Sequence, residues 1–449
     1  AMAGVRAVWE SQHGPGSVVG LAPSAAAAEV LSEAVGVPTE NTAKWLAEVA
    51  RQPSRLAELD GLRAALDRAS PTLRTRTLMR RARQLSDDID RWRLRPGQLV
   101  IVDEASMSGT FELDSLTAYA RTAGAKVLLV GDWAQLSPVA AGGAFKLVVT
   151  DRGDAPELLD VRRFRHEWER DASLSLRLGA KGVAGEYVRQ GRVRGGDRES
   201  MLDELFANWT DDVSAGRRSL MVAADTATVA DLNRRARAYA VTEGRVAESG
   251  VTVGDGSVIG VGDVVVTRQN QRDLGTGGWV KNGDQWVVTG VGRDGSLRLR
   301  REAGGGVAHL PAEYVSAHVE LGYATTAHRA QGRTVDTTHA FVTSTTLREP
   351  LYVMATRGRE SNMLYVDTAY DPDAATSHET PSTVDPTTVL EQVLSQSGAD
   401  LSATETRARE QANSASPGRL EAEGAAILDV GRRCRAARIV RGFEHGPDI

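Results

Sequence analysis

The feature that most constrains the fold is a pair of short apolar runs that each end in acidic residues. Leu99 to Val102 is followed by Asp103 and Glu104, and Lys126 to Val130 is followed by Gly131-Asp132. Runs of four or five apolar residues have the length of buried strands. Such strands, alternating with helical segments, predict a parallel α/β sheet with its functional groups at the carboxyl ends of the strands.

The same alternation predicts how the chain is divided. Residues 2–12 and 24–36 are expected to be helices, and Ser17 to Ala22 a strand. Glycine- and valine-rich short runs after residue 245 predict antiparallel strands. The expected first α/β domain covers 1–155 and contains a helical, arginine-rich insertion at about 40–93. The expected second α/β domain covers 156–244 and 319–369, with an inserted small β barrel over 245–318. Residues 370–449 are expected to form a linker with loosely held, partly disordered helices.

Composition excludes several classes of protein. Hydrophobic residues make up 41% of the 449-residue chain and charged residues 25%, as in ordinary globular proteins. No apolar stretch reaches the roughly 18 residues of a membrane span, and no secretory signal is apparent, so a cytoplasmic location is expected. Cys434 is the single cysteine, which excludes an internal disulfide. All but five of the 54 basic residues are arginine, which suits contacts to phosphate, although codon bias explains it equally well.

Asp103 and Glu104 are the strongest candidates for chemistry. A buried strand that delivers two adjacent carboxylates suits a nucleotide hydrolase, since one carboxylate holds Mg²⁺ and the other orients and deprotonates the attacking water. The plain structural alternative is a strand end capped by acidic side chains. The next strand is followed by Gly131 to Val139, in which Gln135 is placed to sense a γ-phosphate.

Together these two segments resemble motifs II and III of superfamily-one helicases, and other segments resemble further motifs of that family. Leu21 to Ala28 resembles motif Ia, Val161 to Arg165 motif IV, Gly322 to Thr334 motif V and Leu351 to Arg359 motif VI. The resemblance implies ATP and Mg²⁺ as cofactors and single-stranded DNA as partner. The residues it assigns are Asp103 (Mg²⁺), Glu104, Gln135 and Arg357 (an arginine finger) for catalysis; Arg163 (with Arg165 in reserve), Gln331 and Gly332 for the nucleotide; and Pro23, Ser24, Thr326 and His328 for DNA.

Further segments narrow the resemblance to RecD-like helicases fused to conjugative relaxases of the TraI/TrwC (MobF) type. These segments are Asn41 to Leu46, Arg91 to Gln98, Lys281 to Trp286 and Arg357 to Arg359. The family implies two RecA-like parallel-sheet domains and 5′-to-3′ movement during plasmid transfer. It also implies a relaxase domain or other conjugation proteins as partners. Residues 410–449 do not follow the family. The eight histidines are scattered singly, without the spacing of a metal site.

The family's phosphate-binding loop, G-x-x-x-x-G-K-[ST], is absent from the sequence. None of the five lysines follows a glycine, and residues 2–12 resemble the helix that normally comes after the loop. The chain is therefore expected to begin just past the loop and to lack the strand before it. That strand is expected to pair beside the strand that ends at Asp103 and Glu104, so its loss would weaken the first domain. The same absence predicts poor ATP binding and background hydrolysis.

Three other functions remain open at this stage. The chain is alternatively a non-catalytic DNA-binding or scaffold protein that keeps a helicase fold, or a motor completed by a second polypeptide that carries the loop. It is also compatible with a RecD-like, exonuclease V alpha-type helicase subunit.

Overall fold

A computed structural model describes residues 1–68, 73–136, 143–158, 163–271, 274, 279–301, 306–369 and 384–398. Within these ranges the chain forms three parts, namely a first α/β unit, a second α/β unit and an antiparallel sheet inserted into the second. Residues 1–399 form one compact unit by their contacts. Residues 370–383 and 399–449 of the expected linker and tail over 370–449 lie outside the described residues, as do residues 137–139 of the motif III segment and residues 161–162 of the motif IV segment.

The first α/β unit is a four-stranded parallel sheet with helices on both sides. The strand order is β2-β1-β3-β4, and every pairing is parallel. Its strands are β1 (Val18–Ala22), β2 (Thr39–Asn41), β3 (Leu99–Val102) and β4 (Lys126–Leu129). Its helices are α1 (Met2–His13), α2 (Ala25–Val35), α3 (Thr42–Ala50), α4 (Gln52–Asp67), α5 (Leu73–Trp92), α6 (Thr110–Ala123) and α7 (Ala144–Arg152).

The strands β1 and β3 pair directly with one another, and β4 lies on the other side of β3. The expectation of an empty slot beside the strand that ends at Asp103 and Glu104 is therefore wrong. Both edges of β3 are hydrogen-bonded to neighbouring strands, and all four of its residues are buried. Among the described strands, the outer edge of β4 has no partner.

The second α/β unit has a five-stranded parallel sheet in the order β14-β6-β15-β16-β5. The elements that precede the insertion are α8 (Glu167–Leu178), α9 (Val183–Arg189), β5 (Val193–Gly196), α10 (Arg198–Ser214), β6 (Ser219–Ala223) and α11 (Thr226–Thr242). The elements that follow it are β14 (Ala324–Thr326), α13 (Ala327–Ala330), β15 (Val335–Val342), α14 (Arg348–Met354), β16 (Gly358–Asp367) and α15 (Pro386–Ser395).

The helix α15 differs from the expected loosely held tail. Its residues Val389, Leu390, Val393 and Leu394 are buried in the main hydrophobic cluster of the second unit. Asp385 accepts a hydrogen bond from the backbone of Thr387 and caps the start of the helix. Residues 384–398 therefore belong to the second unit.

The insertion consists of β7 (Gly250–Thr252), β8 (Val258–Gly260), β9 (Val264–Thr267), β10 (Gln285–Val291), β11 (Leu297–Arg301), β12 (Val307–Leu310), α12 (Ala312–His318) and β13 (Val319–Leu321). Its main sheet is antiparallel in the order β12-β11-β10-β9-β13, around a buried cluster that includes Trp286. No pairing of the described residues joins β12 to β13, so a closed barrel is not confirmed. The last strand also extends beyond the expected boundary at residue 318.

Candidate nucleotide cleft and DNA-facing loops

The turn after β3 holds Asp103 and Glu104 in a constrained position. Asp103 N–H donates to Leu21 O at 2.9 Å, and Ala105 N–H donates to Val130 O at 2.8 Å. Glu104 has a φ of 49° and is the one residue other than glycine with a positive φ among the described residues. Left-handed backbone at such a residue costs about 1–3 kcal/mol and persists only where the surroundings impose it. The strain coincides with the second of the two carboxylates.

Burial acts on both carboxylates in the same direction. Burial raises the pKa of Asp103, against a backbone hydrogen bond that lowers it. Burial and then the charge of Asp103 raise the pKa of Glu104, while a hydrogen bond from Gln331 and the charge of Arg357 lower it. A raised pKa favours a carboxylate that takes up a proton, which a general base must do.

Groups from the second unit reach these carboxylates. Gln331 Nε2 donates to Glu104 Oε2 at 3.4 Å. Arg357 lies close enough for its charge to act on Glu104, and its side chain is only 1% exposed. Burial and the neighbouring Arg163 lower the pKa of Arg357, whereas Tyr352, Glu104 and Asp132 raise it. The cleft therefore holds a buried cation that compensates buried carboxylates.

Backbone and side-chain oxygens of motif VI fix the two arginines in place. Arg357 donates from Nε to Val353 O at 2.9 Å and from Nη2 to Thr356 Oγ1 at 2.8 Å. Arg163 Nη1 donates to Thr356 O at 2.6 Å. The reserve candidate Arg165 is instead exposed and lies 3.6 Å from Glu360, away from the cleft.

Asp132 is a functional candidate that was not assigned from the sequence, and it connects the two units. Its Oδ1 accepts from Arg177 Nε at 2.8 Å, and its Oδ2 accepts from Tyr352 Oη at 3.0 Å and from Gln135 Nε2 at 3.2 Å. Arg177 also lies over the ring of Trp133, 5.0 Å from its centroid. Asp132 could have been predicted from its position after an apolar run. Arg177 could not, because it lies on α8 outside every motif.

Gly131 is required where β4 approaches the turn that carries Glu104. A Cβ at this position would lie 3.0 Å from Ala105 N and 3.2 Å from Ser106 N. Both distances are tighter than ordinary van der Waals contact, so a side chain would push β4 away from that turn. The glycine thereby lets Asp132 follow immediately beside Asp103 and Glu104.

The cleft contains buried polar atoms that have no protein partner. Among the described residues these include Gln135 Oε1, Gln331 Oε1, Ser106 Oγ and Ser108 Oγ. Buried polar atoms normally have partners, so their clustering here fits a site that binds a polar ligand. Within the described part of the chain, no group of three or more His, Cys, Asp or Glu side chains is arranged so that it could hold a metal ion. Mg²⁺ in nucleotide sites needs only one or two protein carboxylates, because phosphate oxygens and water complete its coordination. Asp103 is the candidate for such a carboxylate.

The residues predicted to face DNA lie at strand ends of both sheets. Pro23 and Ser24 follow β1, and Ser24 Oγ accepts from Ala27 N–H at 3.0 Å as the N-cap of α2. Thr326 ends β14 and is 7% exposed, so its side chain offers little surface. His328 follows it and is exposed. Gly332, at a φ of 77°, forms the exposed turn after Gln331.

The cleft between the two parallel-sheet units thus brings together carboxylates of the first unit with an amide and arginines of the second. Residues 1–198 match the family model described as an AAA domain. The chain is 33% identical over 276 residues to "Probable conjugal transfer protein TraA" of Sinorhizobium fredii, covering 60% of this chain and 24% of that protein. It is 32% identical over 299 residues to "Conjugal transfer protein TraA" of Rhizobium radiobacter, covering 64% and 26%.

The chain spans about a quarter of the length of these curated relatives. Among solved structures, the Pif1 helicase from Bacteroides in complex with ADP-AlF3 and ssDNA is 15% identical, with a TM-score of 0.43, over 89% of this chain and 88% of that chain. No helix among the described residues is long and apolar enough to cross a membrane.

Proposed function

We propose that this chain is the motor part of an ATP-dependent helicase that moves 5′ to 3′ along single-stranded DNA in conjugative transfer. The observation that carries the proposal is the cleft, where Glu104 of the first unit meets Gln331 and Arg357 of the second. A site divided between two units suits a motor, because closure of the cleft on a nucleotide moves one unit relative to the other. The relatives named as conjugal transfer proteins support the biological setting.

Each cleft residue then has a role that fits its position. Asp103 holds Mg²⁺, and Glu104 orients the attacking water and accepts its proton. Gln135 is the proposed sensor of the γ-phosphate, since its Nε2 keeps a second N–H besides the one that donates to Asp132. Arg357 places positive charge against the transferring phosphoryl group, and Arg163, Gln331 and Gly332 contact the nucleotide. Bound ATP with Mg²⁺ supplies the phosphoryl group and part of the charge neutralisation.

Pro23, Ser24, Thr326 and His328 form the proposed DNA-facing edge of the two sheets. Helix starts and hydroxyl groups suit phosphate oxygens, and such contacts carry no sequence preference. Fluorescence anisotropy of labelled oligonucleotides at two salt concentrations tests this part of the proposal. Binding should fall steeply as salt rises and should be the same for different base sequences. Salt-insensitive binding, or a clear preference for one sequence, contradicts it.

Turnover by these 449 residues alone is proposed to be at background level, because the sequence contains no G-x-x-x-x-G-K-[ST] loop. Among the described strands the outer edge of β4 has no partner, so it offers a place for a further strand. We expect a version that includes a phosphate-binding loop, on the same polypeptide or a second one, to hydrolyse ATP when DNA is present. DNA-stimulated hydrolysis by the 449-residue chain, abolished by Glu104→Gln, contradicts this part.

The second candidate is a DNA-binding or scaffold protein without turnover, and the missing loop is the observation that favours it. The two candidates separate in one experiment. A motor gains DNA-stimulated ATP hydrolysis when the loop is supplied, whereas a scaffold binds DNA equally well and still does not hydrolyse ATP. A relaxase domain or other conjugation proteins are the proposed protein partners, and the cytoplasm is the proposed location.

A further inference from the structure

A second cavity lies within the second unit, between α10 and the amino-terminal halves of β15 and β16. Its volume is about 670 Å³, which is in the range of small-molecule sites. The segments that precede α8, β5 and β6 complete its wall. None of the described residues that line it belongs to the nucleotide cleft. The cavity is therefore a separate candidate for a binding site.

The sequence places polar side chains along this cavity, on a face of the sheet that is otherwise packed by a hydrophobic cluster. Glu204, Asn208 and Asp212 are four residues apart on α10, so they lie along one side of that helix. On β15, Thr337 and His339 share a face because alternate residues of a strand point the same way. All five of these residues line the cavity. Polar groups on both of its walls indicate a polar ligand rather than an apolar one.

The buried side of the cavity is a set of polar groups that bind one another. Because an ionised carboxylate only accepts, Nε2 of His339 donates to Asp212 Oδ2 at 2.9 Å, and Nδ1 of the same ring lies 3.0 Å from Tyr365 Oη. Asp212 also accepts from Arg217. Burial raises the pKa of Asp212, but hydrogen bonds from His339, Thr337 and Arg217 lower it overall to about 2. The charge of Asp212 is thus compensated inside the protein, so it repels an anionic ligand only weakly.

Four arginine side chains from different segments line the same cavity. They are Arg165 before α8, Arg192 before β5, Arg194 on β5 and Arg217 before β6. Three of them pair with carboxylates that also line it, namely Arg165 with Glu360, Arg194 with Glu204 and Arg217 with Asp212. The guanidinium of each pair is exposed, and exposed ion pairs contribute only about 0–1 kcal/mol. These arginines can therefore exchange a carboxylate for a ligand with a small loss of free energy.

Arg192 differs from the other three because its bonds are to neutral groups. Its Nη1 donates to Ser361 Oγ at 2.8 Å and its Nη2 to Glu360 O at 3.3 Å. Within the described parts of the chain no carboxylate pairs with it, and its buried Nε has no hydrogen-bond partner. Burial raises the pKa of the buried Glu169, and a hydrogen bond from Asn362 and the charge of Arg192 offset this only in part. Glu169 thus compensates Arg192 without a bond, and N–H donors of the guanidinium remain for an anion.

We propose that this cavity binds a small ligand that carries two or more phosphate groups. Planar guanidinium groups bind phosphate oxygens in pairs, which suits a cavity lined by four of them. Its volume exceeds that of a single phosphate, so more than one group can be held. Among the described residues that line it, Met363 alone has a large apolar side chain. Affinity must therefore come from charge and hydrogen bonds, with Arg192 as the central contact and the exposed arginines closing on the ligand from the rim.

A histidine at the cavity allows binding to be measured there rather than at the nucleotide cleft. His166 lines the cavity, whereas the exposed His309 lies on β12 of the inserted sheet. The 449-residue protein, labelled with ¹³C in its histidine rings, is titrated with phosphate, pyrophosphate and tripolyphosphate at constant pH and ionic strength. Nuclear magnetic resonance follows the ring signals, and His166→Gln assigns the signal of interest. The signal of His166 should shift and that of His309 should not.

Affinity should rise by about tenfold with each added phosphate group, because each brings further charge-assisted hydrogen bonds. Absence of a shift at His166 with all three compounds overturns the proposal. A single-stranded DNA of about four nucleotides distinguishes a small ligand from the phosphates of nucleic acid. Its phosphodiesters carry one charge each, so it should compete with tripolyphosphate at least about tenfold less well than pyrophosphate does. Competition as strong as that of pyrophosphate contradicts a small ligand.

Arginine variants test which side chains hold the phosphates. Arg192→Gln should weaken tripolyphosphate binding at least tenfold, on the order of one charge-assisted pair. Arg165→Gln with Arg194→Gln removes two exposed guanidinium groups without disturbing the core, and should weaken binding by about tenfold even if Arg192→Gln does not fold. The control is Arg189→Gln on α9, an exposed arginine paired with Glu186 that does not line the cavity. It should bind as the parent does, and equal affinity in all of these variants overturns the proposal.

Discussion

The two parallel sheets differ in how completely their strands are buried. In the second unit the central strands β6 and β15 are buried over most of their length. In the first unit β3 is fully buried, but neither edge strand, β2 nor β4, has a buried residue, whereas in the second unit the edge strand β14 is fully buried and β5 has one buried residue. The sheet that carries Asp103 and Glu104 is thus the less well covered of the two. We infer that the second unit contributes most of the free energy of unfolding, and that the functional residues of the first unit lower its stability.

Matched leucine substitutions test this comparison and give the largest expected effect. Leu364 on β16 is 1% exposed, whereas Leu128 on β4 is partly exposed. Leu364→Ala should lower the free energy of unfolding by about 2–5 kcal/mol because it leaves a cavity. Leu128→Ala should cost about 1 kcal/mol, since less apolar area is lost from contact. Urea denaturation followed by circular dichroism measures both, and equal losses would remove the distinction between the sheets.

The strand-end rule predicted much of this architecture from the sequence. The strands β1 and β3 end where their apolar runs end, β4 ends one residue before its run does, and Ser24 caps α2 as its position suggested. Glu104 follows a strand as this rule predicts, whereas Gln331 follows α13 and Arg357 directly precedes β16, so the rule alone does not account for their meeting. The order of strands was not predictable in the same way. A direct pairing of β1 with β3 depends on which buried faces pack together, and local apolar runs carry no information about that choice.

Contacts between distant residues were missed for a related reason. Asp132 is 45 residues from Arg177 and 220 residues from Tyr352. Neither separation leaves a periodic signal, so the connection between the units became visible only in three dimensions. The helix α15 was missed because a polar segment rich in Asp, Ser, Thr and Pro separates it from β16. Its four buried apolar residues have helical spacing, which was the signal available for it.

The contact between the two units gives the next largest expected effect. Asp132→Asn removes the charge that accepts from Arg177 and leaves that half-buried guanidinium without a counterion. We expect a loss of about 1–3 kcal/mol in the free energy of unfolding. The control is Asp336→Asn, which breaks the more exposed pair with Arg218 and should cost under about 1 kcal/mol. If the two variants lose the same stability in urea denaturation, Asp132 does not connect the units.

The pH dependence of the free energy of unfolding tests whether Glu104 destabilises the first unit. The pKa of Glu104 is raised, so folding disfavours its charged form, and stability should fall as pH rises from the ordinary glutamate range toward the folded pKa. Glu104→Gln removes this penalty. The variant should therefore be more stable than the parent protein at pH 7 and equal to it at pH 4. Denaturation curves at both pH values measure the difference.

Glu48→Gln is a control variant whose change in stability at pH 7 should have the opposite sign. Burial raises the pKa of Glu48, but hydrogen bonding and charge from Arg55, with the charges of Arg51 and Lys44, lower it overall. Its carboxylate therefore stabilises the fold above the ordinary pKa, and that contribution is lost as pH falls. Glu48→Gln should be less stable than the parent at pH 7, with the difference shrinking at low pH. If both variants change stability at pH 7 in the same direction, the charged Glu104 carboxylate does not destabilise the fold as proposed.

The smallest expected effect comes from the backbone at Glu104 and compares it with Gly332 of the second unit. Both positions have positive φ, 49° and 77°, but only the second has the residue that adopts it freely. Glu104→Gly should therefore be more stable than Glu104→Ala by about 1 kcal/mol, because both remove the carboxylate and only alanine keeps the strain. Gly332→Ala should show the reverse, a loss of about 1 kcal/mol relative to the parent. Thermal unfolding of the three variants measures these differences. If Glu104→Ala and Glu104→Gly have the same stability, the backbone of the turn after β3 relaxes without a glycine. The backbone then does not hold the Glu104 carboxylate in place.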